Sequence, residues 1–182
     1  MSDHSKEFPK EEFFNAAKAM GKYQEIHNII RKDYEVLLDL TETAKDNKKE
    51  FDALYRASLK SLFTIIEADI FGLNNLSQYE NYSDQHRFED KFKKTFTHIC
   101  KTWNKEDLKK SYLDSKYSDL KVVRKKRDEL IHPKEKAHIH EATIEEFKNL
   151  KNVYKDYDDF INKLMDNFFI EVKFDIKDLL KR

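Results

Sequence analysis

The sequence predicts an all-α fold, a single-domain antiparallel bundle of about five to seven helices. Two observations carry that prediction. With only two Gly and two Pro among 182 residues, the chain lacks the residues that hairpins and tight turns require. Along most of its length, apolar side chains recur at steps of three and four, the period of one helix face. No repeat, low-complexity segment or linker divides the chain, so residues 1–182 read as one domain with a sizeable core.

Residues 1–8 read as a disordered tail. Pro9 suits the first turn of a short helix through Met20, with Phe13, Phe14, Ala17 and Met20 inward and Gly21 as a break. A second helix follows from Lys22 to Lys45, with Tyr23, Ile26, Ile29, Ile30, Leu37 and Leu40 inward. Asn47 to Leu73 is the most hydrophobic segment, apolar over most of its girth around Phe63–Phe71, and is expected to be the central helix. Glu67 borders its inner stripe. A polar loop, Asn74–Ser83, leads to a helix that Asp84 or a neighbour caps and that ends near Trp103, with Phe88, Phe92, Phe96, Ile99 and Trp103 inward. Another helix restarts at Asn104–Asp107. It is either interrupted near Ser118 or continuous with a helix ending at Ile131. Thr143 and Glu146 have capping-box spacing and open the last helix, with Phe147, Leu150, Tyr154, Tyr157, Ile161, Leu164 and Phe168 inward. Residues 170–182 fit both a strand period and a helical one, and the helical reading is preferred.

Composition bounds the function. With 35 basic and 35 acidic residues the formal charge is zero, which excludes a globally basic nucleic-acid binder and leaves only a local patch. The single cysteine, Cys100, excludes an intramolecular disulfide and a cysteine zinc cluster; on an apolar face it is expected to be inert. No apolar run is long enough to span a membrane and no signal segment opens the chain, so a cytoplasmic protein is expected. His138-x-His140 is an incomplete metal pattern, and no metal or cofactor is expected. A phosphate-binding glycine loop, a serine elbow and an HExxH pair are all missing.

The chemistry concentrates between residues 120 and 136. Leu120, Val123, Arg127 and Leu130 step by three, four and three, so Arg127 occupies an inner position of an amphipathic helix. A guanidinium stays charged and is costly to bury alone, and a polar residue at an apolar position marks a functional site or interface. Pro133 biases His132 out of the helical region and ends the helix there. Seven basic residues (Lys121, Arg124, Lys125, Lys126, Arg127, Lys134, Lys136) face three acidic ones (Asp128, Glu129, Glu135), a local charge of +4 suited to phosphate contacts.

The run Arg127-Asp128-Glu129-Leu130-Ile131-His132 resembles the Arg-x(4–6)-His motif of the HEPN superfamily, helical proteins that include metal-independent endoribonucleases acting as toxins or phage-defence effectors. In that family a polar residue often follows the Arg, as Asp128 does here, and two motifs meet across a dimer interface. The resemblance implies a HEPN-like bundle, a homodimer, an RNA substrate, no cofactor and no membrane partner; any antitoxin or defence partner is unidentified. It also implies a core helix packed against the motif helix, from which Glu67 would support Arg127. Members silenced by a nucleotidyltransferase partner carry Tyr two residues after the His, where this chain has Lys134.

On this reading His132 exchanges protons with the ribose 2′-OH or the leaving 5′-oxygen. Arg127 offsets phosphate charge, and Asp128 orients the His or a partner Arg. Lys121, Arg124, Lys125, Lys126, Lys134 and Lys136 hold the RNA backbone. Helix positions five apart are splayed by about 140° and about 7.5 Å, so a second motif from a two-fold mate is expected to complete the site. The alternatives are a catalytically silent HEPN-like module that binds RNA, a nucleotide or a protein, and a structural bundle in which Arg124 and Asp128 merely pair.

Overall fold

The computed structural model describes residues 10–77, 82, 83 and 85–166, without the side chains of 10–13 and 16. Six helices fill it: α1 (Lys10–Thr43), α2 (Lys48–Ser77), α3 (Phe88–Thr102), α4 (Glu106–Ser115), α5 (Tyr117–Ile131) and α6 (Ile144–Met165). Among the described residues there is no strand, and the all-α expectation holds. The expectations for residues 1–8, Phe13, Asp84, Phe168 and 170–182 lie outside what is described.

The first two expected helices are one. α1 runs unbroken for 34 residues, and Gly21 sits in it with open space around it. A glycine in a helix interior costs only about 1 kcal/mol. The stripe Met20, Tyr23, His27, Tyr34, Leu38 and Thr41 is buried along one continuous face and outweighs that cost. Of the described residues expected inward, Met20 and Tyr23 are buried and the others are not. Phe14 is 68% exposed, Ala17, Ile26, Ile29 and Leu40 also face outward, and Ile30 and Leu37 are only partly buried. α1 carries two candidate stripes, and the buried one includes polar residues that find partners inside.

A short 3-10 turn, Ala44–Asp46, returns the chain antiparallel as α2. The pairings Thr41–Ser58 and Arg31–Asp69 mark the antiparallel register. α2 is the central helix, as expected. It packs on α1, α3, α5 and α6, and Tyr55, Leu59, Leu62, Phe63, Ile65, Ile66, Ile70 and Leu73 are buried along it. It runs four residues past the expected end at Leu73. Asn74 explains the extension: its buried amide donates to Ile70 O at 2.8 Å and to Thr95 Oγ1 on α3 at 2.7 Å.

α3 starts at Phe88 without a side-chain cap from Arg87. It contributes Phe92, Phe96 and Ile99 to the core, while Trp103 is only partly buried. Cys100 is buried on this helix, and burial pushes its thiol up to about 11, so it is inert at neutral pH. Asn104 adopts a left-handed φ of 52°, a conformation Asn tolerates, and ends α3. The break between α4 and α5 falls at Lys116, so the chain does not run straight from Asn104 to Ile131 and Ser118 does not interrupt it. Tyr112 of α4 stacks on Phe160 of α6 at 4.5 Å, and Phe92, Phe96 and Tyr157 extend that aromatic cluster. The capping box forms as expected. Thr143 Oγ1 accepts the Glu146 amide at 3.1 Å, and Glu146 Oε2 accepts the Thr143 amide at 3.2 Å.

Candidate phosphate-binding cleft

α5 packs antiparallel on α2, and this contact sets the motif. The Arg127 side chain lies over the Phe63 ring, 5.6 Å from its centroid. Its terminal nitrogens donate to Glu67 Oε1 at 3.2 Å and to Asp128 Oδ1 at 3.0 Å. One turn earlier Arg124 lies over Phe88, 4.9 Å from its centroid, and Phe88 meets Phe63 edge-on at 5.4 Å. The two guanidiniums thus cap one aromatic pair. Half-buried cation–π contacts of this kind contribute roughly 1 kcal/mol each. Asp128 bridges the pair, because its second oxygen lies 3.3 Å from Arg124 Nε. Arg124 also reaches Glu89 Oε1 at 3.2 Å. Glu67 therefore does face Arg127 from the core helix.

α5 ends at Ile131, and His132 has an extended-side φ of −124° with its amide still bonded to Asp128 O. Pro133 follows, as its effect on the preceding residue requires. The His132 imidazole is exposed and makes no hydrogen bond or ion pair among the described residues. It lines a cleft of about 440 Å³ together with Lys121, Arg124, Lys125, Asp128, Glu129, Lys134, His138 and Glu89. Of the expected residues, Lys121, Arg124, Lys125, Asp128, His132 and Lys134 share this cleft.

Three do not. Arg127 lies beside the cleft, turned onto α2, and does not line it; its buried Nε has no acceptor among the described residues. Lys126 points to α6 and pairs with Glu146. Lys136 opens the 3-10 turn Lys136–His138 and stays outside the lining. The orientations follow from the helix itself: Arg124 and Asp128, four apart, share one side, and Arg127 is turned away from Arg124 by about 60°.

The cleft also contains groups that the sequence did not assign to the site. Glu89 arrives from α3, Glu129 from α5 and His138 from the loop. Four basic side chains face three carboxylates, so the cleft is weakly cationic rather than a basic patch. Arg124 and Lys125 are matched by acids, Lys125 to Glu129 at 3.9 Å. Lys121 lies over the Tyr117 ring at 5.7 Å. Burial, and then Glu89, push the Tyr117 phenol up to about 12, so it holds its proton at neutral pH. His138 and His140, considered above as an incomplete metal pair, are occupied separately. His138 Nδ1 accepts the Lys134 amide at 3.0 Å, and His140 Nε2 lies 2.8 Å from Glu129 Oε2 without hydrogen-bond alignment. No group of three metal-ligating side chains exists among the described residues.

A second polar cluster sits in the core, unseen in the sequence. Asp69, fully buried on α2, accepts from Tyr23 at 2.8 Å, from Tyr157 at 2.9 Å and from Arg31 at 3.0 Å, and contacts His27. Arg31 continues to Asp158 of α6 at 2.7 Å. Burial, and then Asp69, push both phenols well above their ordinary range. The cluster is closed to solvent at Asp69, opens partly at the Arg31–Asp158 end, and joins α1, α2 and α6 as a structural lock.

No helix among the described residues is long and apolar enough to cross a membrane. No family model matches the chain, and no curated protein and no solved structure matches it either.

Proposed function

We propose that the chain is a HEPN-type, metal-independent endoribonuclease, of the kind that serves as a toxin or phage-defence effector, working as a homodimer. The observation that supports this most is His132, an imidazole without a partner of its own, opening into one cleft with Arg124, Lys121, Lys125 and Lys134 beside the paired Arg127. An unengaged imidazole next to phosphate-binding cations is the minimum equipment for moving the ribose 2′ proton near neutral pH.

In the reaction, His132 takes the proton of the 2′-OH. The 2′-oxygen forms a bond to phosphorus, and the bond from phosphorus to the 5′-oxygen breaks. The leaving 5′-oxygen takes a proton from the His132 of the two-fold mate. Products end in a 2′,3′-cyclic phosphate and a 5′-hydroxyl. Arg124 and Lys121 hold the phosphate in this cleft, and Asp128 fixes the two arginines. Arg127, carried by Phe63 and Glu67, stands at the side of the cleft where the mate would dock.

The alternative is a silent module that binds RNA, a nucleotide or a protein with the same cleft. The observation that favours it is the carboxylate content: Glu89 and Asp128 already answer Arg124. The deciding experiment incubates wild type and His132→Ala with a mixed single-stranded RNA pool and reads the new termini. Loss of proton transfer lowers the rate by roughly 10²–10⁴-fold. Equal cleavage by the two proteins refutes the assignment, and no cleavage by wild type supports the binding module.

A further inference from the structure

We propose that His138 is a phosphate-binding residue of this cleft, acting as a fixed neutral donor through its Nε2–H. The inference deepens the ribonuclease reading and rests on it for the identity of the phosphate. Its own basis is geometric.

The Lys134 backbone amide donates to His138 Nδ1 at 3.0 Å. A backbone N–H can only donate, so Nδ1 must carry a lone pair, and the ring proton must sit on Nε2. Protonating Nδ1 would set two donors against each other across that contact. The backbone holds the ring in place as well: the His138 amide bonds to Glu135 O at 3.1 Å, and the Ile139 amide to Lys136 O at 3.0 Å. The hydrogen bond also fixes the ring within two residues of His132, whose Cα lies at most about 7 Å from that of Lys134.

The Nε2–H therefore faces outward as a donor already placed. Glu135 Oε1 lies 3.2 Å from Nε2 without hydrogen-bond alignment, on a side chain that is 67% exposed. An exposed glutamate is easily displaced, since the pair it makes contributes little in water. A phosphate entering the cleft offers the same kind of oxygen with more charge and with Arg124 and Lys121 as further partners. His132 and His138 then have different work in one cleft: the first is free to exchange a proton, and the second is held in one tautomer and cannot do so without breaking the Lys134 contact.

Two substitutions separate the donor from a mere turn-holder. Glutamine places an N–H near the position of Nε2, whereas asparagine places an acceptor near Nδ1 and no donor at Nε2. His138→Gln is expected to keep cleavage of the RNA pool within about threefold of wild type. His138→Asn is expected to lose roughly 10- to 100-fold, carried by KM with kcat little changed. The reverse order, or no effect of either, overturns the proposal, because then the side chain only holds the turn or does nothing. If both variants misfold, nitrogen-15 spectroscopy of the histidine rings in the wild-type protein decides. It should show the Nε2–H tautomer for His138, and its Nε2 signal should move when uridine 3′-monophosphate is added. A shift of His132 alone, or the opposite tautomer, overturns the proposal. If wild type binds the nucleotide through His138 but cleaves no RNA, the ribonuclease reading fails and the donor assignment stands.

Discussion

Arg127 of the motif helix donates to Glu67 Oε1 of the core helix across 3.2 Å, tying together residues sixty positions apart. The guanidinium cannot be replaced by a point charge in this setting, because it covers Phe63, reaches Glu67 and reaches Asp128 at once. Arg127→Ala should lower RNA cleavage by about 10²–10³-fold. It should lower stability by only about 1–2 kcal/mol, since Glu67 and Asp128 are each nearly half exposed. Arg127→Lys should recover little activity, and Glu67→Gln should cost less than either. Steady-state cleavage rates beside urea-denaturation midpoints test this; full activity in Arg127→Ala would exclude it from the site.

A composite site needs a mate. Sedimentation at micromolar concentration should show a dimer, and cleavage should survive EDTA, as no cluster of metal ligands exists among the described residues. Mixing wild type with excess inactive His132→Ala should lower activity by more than dilution, because a mixed dimer has one of the two imidazoles that the step uses. A strict monomer, or activity that vanishes with EDTA and returns with a divalent ion, contradicts the mechanism.

Asp69→Asn should be among the most damaging substitutions. It strips Arg31 of its buried carboxylate, leaving the partly exposed Asp158 as its carboxylate partner, and weakens two phenol contacts, a loss of about 3 kcal/mol. Gly72→Ala tests the same cluster sterically. A Cβ there would come within 2.5 Å of the Tyr23 ring, which stacks on His27 and is anchored to Asp69. The helix-propensity gain of about 1 kcal/mol is smaller than the charged hydrogen bond it would displace, about 1.5–3 kcal/mol. Net destabilisation by thermal melting is expected, and a more stable Gly72→Ala would show that the Tyr23 contact contributes little.

Acid should loosen the loop that carries the cleft histidines. Burial raises the Asp52 carboxyl, but the Lys48 bond and the Ala142 amide, at 2.6 Å, outweigh it and hold its pKa below the usual value. For Glu146 burial is likewise outweighed, here by Lys126 and Thr143, so its pKa is also lowered. A carboxylate with a lowered folded-state pKa contributes stability above its unfolded value, about 4, and that stability is lost as pH falls through the folded value. Denaturation midpoints should drop below about pH 4, and the drop should shrink in Asp52→Asn and Glu146→Gln. An unchanged acid limb in both variants would remove this account.

The helical class, the central position of α2, the inward faces of α3 and α6 and the Thr143–Glu146 cap were legible in the sequence. Each depends on neighbours three or four residues apart, within the reach of local periodicity. The buried face of α1 was not legible, because Ile26, Ile29 and Leu40 compete there with a stripe containing His27 and Arg31. Polar side chains win the interior only when distant partners satisfy them, and Asp69 and Asp158 lie 38 and 127 positions from Arg31. The motif could be located but not its outlook: sequence puts Arg127 on the inner stripe, while packing decides that Arg124 lines the cleft with His132 and that Arg127 turns to Phe63 and Glu67. His138 enters that cleft through one backbone hydrogen bond from Lys134, in a loop where no repeating pattern exists to announce it. Periodicity fixes which residues can form a face; only the assembled helices decide which face meets which, because that choice is made by contacts between residues far apart in the chain.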